Sequence, residues 1–529
     1  MIRLTRLAAL AAFCAGCICA KKDATGPVPR PPRVHAWASL ANLDKSVDNT
    51  SALLAKFGVP VNKDALREGL VRESGLSAAV IGEIDFSRAV WTAGVAAQGA
   101  GSYQYVYAVP VRDEQRFLGA LRKEMDESKV EGALKFTPKA GVSGLREPMF
   151  ATVTQRYAVV CPQLAPLLLA RDFLLRTLVP SPGKGDLHIL LTHDFMAGWQ
   201  KLIGDLSELQ VPAVAGVVRR LVERAVSVEE LSLSAEISPT EVVLGIHVSA
   251  ADGGPMHAVL KRQIPGPAYG AEWMPAETWL YYTDRYSAAS LAETTLDLKH
   301  VLAALSGPRR EELDKAAASL AGAMTGEVAV GASGAAIVVA AHVRDATVAR
   351  AALDTLVGAI ARSEQVRREG SLAVIDLPLP GGFVPPLITG RPAVASLVEG
   401  ERLLLSVGIG AEARLRELMD GAGATRLDKS GGFTKTVSPQ RGRIGLVYLS
   451  VAQLLRAMLQ AVPGAPAPAS APETPGVLLD WVVNDARTAA DLRLRFPADA
   501  FATLGPLLQS LPFMGGGPAM PGAPWKPSP

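Results

Sequence analysis

Short apolar runs rich in β-branched and aromatic residues dominate the hydrophobic pattern of the chain. Residues 105–111 and 337–343 are two such runs, and each predicts a strand. Each is followed by Arg-Asp and then by apolar residues at three- and four-residue spacing, which predicts a helix. Asp113 and Asp345 are suited to cap these helices, so we interpret the shared Arg-Asp as structural rather than catalytic.

The two strand-to-helix units match at a constant offset of 232 positions. Further runs follow in the same order: residues 402–407 correspond to residues 156–160, and residues 446–450 correspond to residues 187–191. A chance local match would not preserve this order. The pattern therefore predicts a tandem duplication.

Strand pairs separated by a Gly-rich turn predict hairpins, as for residues 90–96 and 103–109. The predicted fold class is α+β, with two tandem homologous modules, each a mainly antiparallel sheet with helices packed on one face. The modules are predicted at residues 34–263 and 275–511, joined by a linker at residues 264–274 where Pro and Gly break any regular element.

The flanking segments differ from the modules in composition. Arg3 and Arg6 precede an apolar run that is too short to span a bilayer, which predicts a signal peptide at residues 1–20. Residues 21–33 are basic and Pro-rich and predict an extended tether. A Pro/Ala-rich loop at residues 462–475 and a disordered Gly/Pro tail at residues 512–529 complete the predicted organisation.

Residues 14–17 read Cys-Ala-Gly-Cys and resemble the lipobox of bacterial lipoproteins, in which small residues precede a cysteine that is acylated and becomes the mature N-terminus. The resemblance implies that Cys17 is lipidated and anchors the protein to a membrane of the cell envelope. Ile18, rather than Asp, implies the outer membrane of a diderm cell. Cys14 stands where Leu is usual, and an ordinary signal peptidase cut after Ala20 is the alternative.

The modules also loosely resemble uncharacterised secreted bacterial proteins of duplicated α+β build, a resemblance that implies no functional residue. The formal charge of +3 falls to about +1 without the two signal arginines, so no strong field attracts nucleic acid. Three of the four cysteines lie in the signal region, which argues against a disulfide framework. Cys161 ends an apolar run and is interpreted as a buried small hydrophobe.

Sequence motifs for catalysis, cofactors and metals are weak or missing. Residues 408–413 contain Gly-x-Gly between a predicted strand and helix, which we interpret as a glycine-eased turn rather than a dinucleotide site. His188 and His193 are five apart beside a strand, so they point to opposite faces and do not indicate zinc. The sequence therefore predicts no catalytic, cofactor-binding or metal-ligating residue, and Cys17 is the single modified residue that it predicts.

These observations predict a non-enzymatic, envelope-associated lipoprotein that binds a partner protein or an envelope component. The alternative is a carrier or sensor that holds a hydrophobic or small ligand between helices and sheet. An enzyme is the third hypothesis, and the crevice near residues 264–274 is where a site is expected.

The lipobox interpretation predicts that replacing Cys17 by Ala releases the mature protein from membranes, because acyl chains contribute about 0.8 kcal/mol per buried methylene. Detergent-phase partitioning measures this release, and Cys19→Ala serves as a control that leaves the predicted acylation site intact. An unchanged membrane fraction for Cys17→Ala would rule out Cys17 as the anchor.

Overall fold

The computed structural model describes residues 26–56, 76–97, 102–140, 147–181, 183–197, 224, 227–287, 310–360, 366–376, 392–420, 426–460 and 473–501. The predicted signal peptide with Cys17, residues 462–472 of the predicted loop and the predicted tail lie outside the described residues. Two compact units divide the chain: residues 1–42 and 68–183 form the first, and residues 43–67 and 184–529 form the second.

The strands of the described residues are β1 Val34–Leu40, β2 Val90–Ala96, β3 Tyr103–Pro110, β4 Met125–Val130, β5 Ala133–Pro138, β6 Met149–Thr154, β7 Tyr157–Cys161, β8 Leu187–Thr192, β9 Val228–Ile237, β10 Glu241–Ala250, β11 Thr278–Arg285, β12 Met324–Ser333, β13 Ala336–Val343, β14 Val366–Glu369, β15 Leu372–Asp376, β16 Pro392–Glu399, β17 Arg402–Ile409, β18 Arg443–Leu449, β19 Val477–Val483 and β20 Ala489–Pro497.

The helices of the same residues are α1 Leu43–Ala55, α2 Ala78–Gly82, α3 Glu114–Glu124, α4 Leu164–Phe173, α5 Pro255–Lys261, α6 Arg310–Ala323, α7 Ala346–Ile360, α8 Ala411–Asp420, α9 Gly431–Thr436, α10 Val451–Gln460 and α11 Ala498–Phe501. A π-helical turn, Leu174–Leu178, extends α4. None of the helices in the described part of the chain is long and apolar enough to cross a bilayer.

The first unit contains an antiparallel sheet in the order β1-β2-β3-β7-β6-β5-β4. Successive residues of β7 point to opposite faces, and both faces are buried. Tyr157 and Val159 pack in the cluster that includes α4, whereas Ala158 packs with Phe117 and Leu121 of α3. Helices therefore cover both faces of this strand.

The predicted tether is held against the first unit before β1 begins. The backbone N–H of Val28 donates to the hydroxyl of Thr177 (2.9 Å), and the Arg176 guanidinium donates to the carbonyl of Gly26 (2.6 Å). Both partners lie on the π-helical turn after α4. The ordered chain of this unit therefore includes residues 26–33 as well as β1.

Several local predictions are confirmed. The hairpin predicted at residues 90–96 and 103–109 is formed by β2 and β3, which pair antiparallel. Asp113 caps α3, where its carboxylate accepts from the backbone amide three residues on (2.8 Å). Asp345 does the same at the start of α7 (3.0 Å). Both aspartates therefore have the structural role expected of them.

The second unit is built on a longer antiparallel sheet, in the order β8-β9-β10-β20-β19-β18-β11-β12-β13-β17-β16-β15-β14. The decisive contact is between β10 and β20, which pair from Glu241 opposite Pro497 to Ser249 opposite Ala489. This contact joins strands on both sides of residues 264–274 into one continuous sheet.

The predicted fold class, two tandem α+β modules with helices on one face, is wrong. Strands β8 to β10 lie within residues 34–263, the predicted first module, but they belong to the same sheet as β11 to β20. The order β11-β12-β13-β17-β16-β15-β14 matches the strand order of the first unit. This likeness concerns strand order only. The chain is not divided into two modules, because the edge of β10 that does not pair with β9 forms its backbone hydrogen bonds with β20.

Helices also cover both faces of β16 and β17 in the second unit. Ala395 and Leu404 pack on one face in the cluster that contains Leu415 of α8. Leu403 packs on the opposite face in the cluster that contains Leu353 of α7. Because successive strand residues alternate between faces, the one-face arrangement is excluded for these strands.

A buried ion pair joins β18 to β19. The Arg443 guanidinium donates to Asp480 (3.2 Å) and to the carbonyl of Ser438 (2.8 Å), and both charged side chains are 3% exposed. Arg443 Nε and Asp480 Oδ1 have no hydrogen-bond partner within the described residues. Loss of either charge would leave the other buried and unpaired.

Replacing Asp480 by Asn should lower the free energy of unfolding of the second unit by about 3–5 kcal/mol, because the Arg443 charge would be buried without its counter-ion. Hydrogen–deuterium exchange of β18 and β19 in increasing urea measures the loss. Asp485→Asn is the matched control, since Asp485 forms an exposed pair with Arg441 and its loss should cost about 0.5 kcal/mol or less. Equal effects of the two substitutions would contradict the prediction.

Candidate functional site

A cleft of about 360 Å³ opens in the second unit between α8, α10 and the segment before β11. It is lined by Met274, Pro275, Ala276, Glu277, Arg414, Glu417, Leu418, Arg426, Gln453 and Arg456. An adjoining space of about 300 Å³ shares four of these residues and adds Gly334, Ala457 and Gln460. The volume lies at the lower end of the range for small-ligand sites, about 300–1,000 Å³.

The segment before β11 is held by hydrogen bonds that fix one wall of the cleft. The backbone N–H of Leu427 donates to the carbonyl of Met274 (2.9 Å), and Pro275 forms an isolated β-bridge with Arg426. The hydroxyl of Thr278 donates to the carbonyl of Pro275 (2.7 Å). Met274 is fully buried, so this wall is anchored in the core.

A tight turn places α8 over the sheet. Gly408 and Gly410 have φ angles of +127° and +77°, which favour glycine, and a Cβ at Gly408 would lie 2.3 Å from the carbonyl oxygen of Ala335. The interpretation of Gly-x-Gly as a glycine-eased turn is confirmed. Strand β17 is antiparallel to both neighbours, so the parallel unit of a dinucleotide fold is not formed here. Leu415 is buried beneath α8, which leaves Arg414 at the cleft.

Helix α10 supplies the opposite wall. The backbone N–H of Ser450 donates to the carbonyl of Trp279 (2.8 Å), which ties the start of this helix to β11. The Ser450 hydroxyl accepts from the backbone N–H of Gln453 (3.3 Å) and caps the first turn. Gln453, Arg456 and Ala457 are three and four positions apart, so they share the face of α10 that lines the cleft.

Some polar side chains of the cleft have hydrogen-bond partners and others have atoms without them. The Arg414 guanidinium pairs with Glu277 and with Glu417 (3.0 Å). In contrast, Arg456 Nε and Gln453 Oε1 are buried atoms with no hydrogen-bond partner in the described part of the chain. Such an atom costs about 1–3 kcal/mol when it stays unsatisfied. A bound molecule that satisfied both atoms would remove this cost.

The histidines and the cysteine considered from the sequence do not line this cleft. Cys161 is 1% exposed and burial raises the pKa of its thiol, which confirms its interpretation as a buried hydrophobe. Burial, with a smaller effect of Lys184, lowers the pKa of His188, and His193 Nδ1 lies 3.2 Å from the carbonyl oxygen of Val228. In the described ranges, no group of three His, Cys, Asp or Glu side chains is placed to hold a metal ion.

Sequence reasoning missed the charged residues of the cleft. It placed a crevice near residues 264–274, and of that segment Met274 does line the cleft. Glu277, Arg414 and Arg456 come from three elements far apart in the chain, and no motif links them. One signal was available in the sequence. Arg456 interrupts the apolar residues 454–459, and a charged residue within an apolar helical pattern can indicate a functional position.

Another polar cluster lies at the end of β11. The Tyr282 hydroxyl lies 3.0 Å from Asp284 Oδ2 and 2.6 Å from the hydroxyl of Tyr286. The backbone N–H of Arg285 donates to Asp284 Oδ1 (2.7 Å). Burial raises the pKa of the Asp284 carboxyl, and it also raises the pKa of both tyrosines.

Comparison with known proteins identifies no family: no family model matches the chain, and no curated protein matches it. Similar solved structures include crystal form IV of TP0453, with 8% sequence identity and a TM-score of 0.24 over 41% of this chain and 76% of that chain. Crystal form III of TP0453 gives 8% identity and a TM-score of 0.24 over 46% of this chain and 88% of that chain. TM-scores this low establish no shared fold.

The raised pKa of Asp284 predicts a pH-dependent effect of Asp284→Asn. The folded protein holds this proton more tightly than the unfolded chain, so the contribution of Asp284 to stability is full below the unfolded pKa of about 3.9 and is lost as pH rises through the folded pKa. The substitution should therefore raise the melting temperature more at pH 7 than at pH 4, as calorimetry would measure.

Asp485→Asn, which removes an exposed carboxylate of the same unit, is the control for this comparison. An effect of Asp284→Asn that is the same at both pH values would show that burial does not perturb Asp284.

Proposed function

We propose that the protein is a non-enzymatic, envelope-associated lipoprotein that binds a partner protein or an envelope component, and that the cleft of the second unit is its binding site. The observation that carries the proposal is the presence at this cleft of two buried polar atoms, Arg456 Nε and Gln453 Oε1, that have no hydrogen-bond partner among the described residues. More than nine in ten buried polar groups in folded proteins are hydrogen-bonded, so unpaired ones beside a cleft are groups that a bound molecule would satisfy.

The N-terminal part of the chain supports attachment to a membrane surface. In the proposal Cys17 carries the lipid, while Gly26 and Val28 are held on the first unit. Nine residue steps separate Cys17 from Gly26, so a fully extended chain spans about 30 Å at most. A lipid on Cys17 would keep Gly26 within this distance of the bilayer surface.

The side chains of the cleft support binding rather than catalysis. The described residues that line it carry arginine, glutamate and glutamine side chains besides apolar groups. Both carboxylates, Glu277 and Glu417, are engaged by Arg414. A general base needs an available lone pair directed at the substrate, and paired carboxylates favour a role in fixing the shape of the wall.

The second candidate function, a carrier or sensor of a small ligand, is favoured by the dimensions of the cleft. Its volume of about 360 Å³ suits a small molecule or the end of a chain rather than a folded surface. Met274, Pro275 and Leu418 form an apolar part of the wall, so the bound group would combine apolar and polar parts.

Filling the cleft should abolish binding. Native mass spectrometry of the mature protein purified from envelope membranes should detect a bound molecule or partner. The Ala457→Trp protein should lack this bound species, because the indole occupies the space beside Arg456. Met458→Trp is the matched control on the same helix, since Met458 is 59% exposed and does not line the cleft.

The Met458→Trp protein should retain the bound mass. The proposal fails if the wild-type protein carries no bound species, or if Ala457→Trp retains the same species as the wild type.

A further inference from the structure

The unpartnered atoms of the cleft form a donor–acceptor pair on one face of α10. Arg456 and Gln453 are three positions apart on this helix, so their side chains are neighbours on its surface. Arg456 Nε carries a hydrogen to donate, and Gln453 Oε1 accepts. A ligand that satisfies both atoms must therefore carry a hydrogen-bond acceptor and a hydrogen-bond donor close to each other.

The charge balance of the cleft selects the kind of acceptor. Three arginines, Arg414, Arg426 and Arg456, and two glutamates, Glu277 and Glu417, line it, which leaves a net charge of +1. A single negative charge matches this balance, whereas a dianion such as a phosphate monoester would exceed it and would be repelled more strongly by the two carboxylates. A carboxylate accepts well from an arginine in a charge-assisted hydrogen bond.

The apolar part of the wall selects what lies beside the carboxylate. Ala276 and Leu418 are half-buried, and both line the same cleft as the charged side chains. An apolar group of the ligand that packs there is removed from water, at about 25 cal/mol for each Å² buried.

We infer that the cleft recognises an amino-acid unit with a free α-carboxylate and an apolar side chain. The carboxylate accepts from Arg456 Nε, the adjacent nitrogen donates to Gln453 Oε1, and the side chain packs against Ala276 and Leu418. The carboxyl end of a peptide and a free amino acid both present this chemistry. The inference rests on the proposed function, because it names the ligand of the same cleft.

Calorimetric titration of the mature protein with N-acetyl-L-leucine, N-acetyl-L-leucinamide and L-leucine tests the inference. N-acetyl-L-leucine or L-leucine should bind, and the amide should bind at least about tenfold more weakly because it lacks the carboxylate. Tighter binding of the acetylated acid identifies a peptide end as the source, and tighter binding of L-leucine identifies a free amino acid.

Two substitutions separate the contacts. Arg456→Gln should weaken binding of the acid about tenfold and leave the amide unchanged, because it removes the charged donor. Gln453→Leu should weaken both compounds, since each brings the N–H group. Arg441→Gln is the charge-matched control, because Arg441 is 88% exposed in its side chain and lies outside the cleft. It should leave all affinities unchanged.

The inference is overturned if acid and amide bind equally, or if Arg456→Gln binds the acid as well as Arg441→Gln does. If native mass spectrometry shows a bound species that Ala457→Trp removes, yet none of the three compounds binds or displaces it, the ligand class is wrong and the proposed function stands. If no bound species is found and no compound binds, both fail.

Discussion

Burial on both faces of β16 and β17 is the constraint on which this part of the second unit depends. An antiparallel sheet commonly keeps one face in water and alternates polar with apolar residues. Here Ala395 and Leu404 are buried on one face, and Leu403 is buried on the other. Both faces must therefore be apolar, and α8 and α7 must lie on opposite sides of the sheet. This requirement brings α8, with Arg414 on it, to the place where the cleft forms.

The features that depend on neighbouring residues could be predicted from the sequence. A β-branched run with a Gly-rich turn specifies a hairpin, as β2 and β3 show, because strand alternation and turn geometry are both local. An aspartate before a helical pattern specifies a cap, as at Asp113 and Asp345. The turn at Gly408 and Gly410 was predictable for the same reason, since Gly-x-Gly between a strand and a helix supplies the positive φ angles that such a turn needs.

The pairing of strands could not be predicted, because an edge offers the same backbone groups to any partner. Strand β10 was expected to close a first module with β9, and it does pair with β9, but its other edge pairs with β20. Its side chains do not reveal the second pairing: Leu244, in the middle of the strand, is 40% exposed. The charged residues of the cleft could not be predicted for a related reason. Glu277, Arg414 and Arg456 come from separate elements, and their proximity depends on the strand order and on the positions of the helices.

Polar atoms without a partner among the described residues occur at several places in the second unit, and two of these places give them different meanings. Arg443 Nε and Asp480 Oδ1 belong to side chains that are 3% exposed and that already bind each other. Their charges are compensated, so the orphan atoms are a tolerated cost of a buried ion pair. Arg456 and Gln453 instead line an open cleft. The two atoms are themselves buried, but their side chains are only partly buried, so a turn of either side chain toward the cleft would bring its atom to an incoming group. The free energy lost in leaving the atoms unsatisfied is recovered when that group binds. Access, rather than the number of unsatisfied atoms, therefore distinguishes the candidate binding site from the structural ion pair.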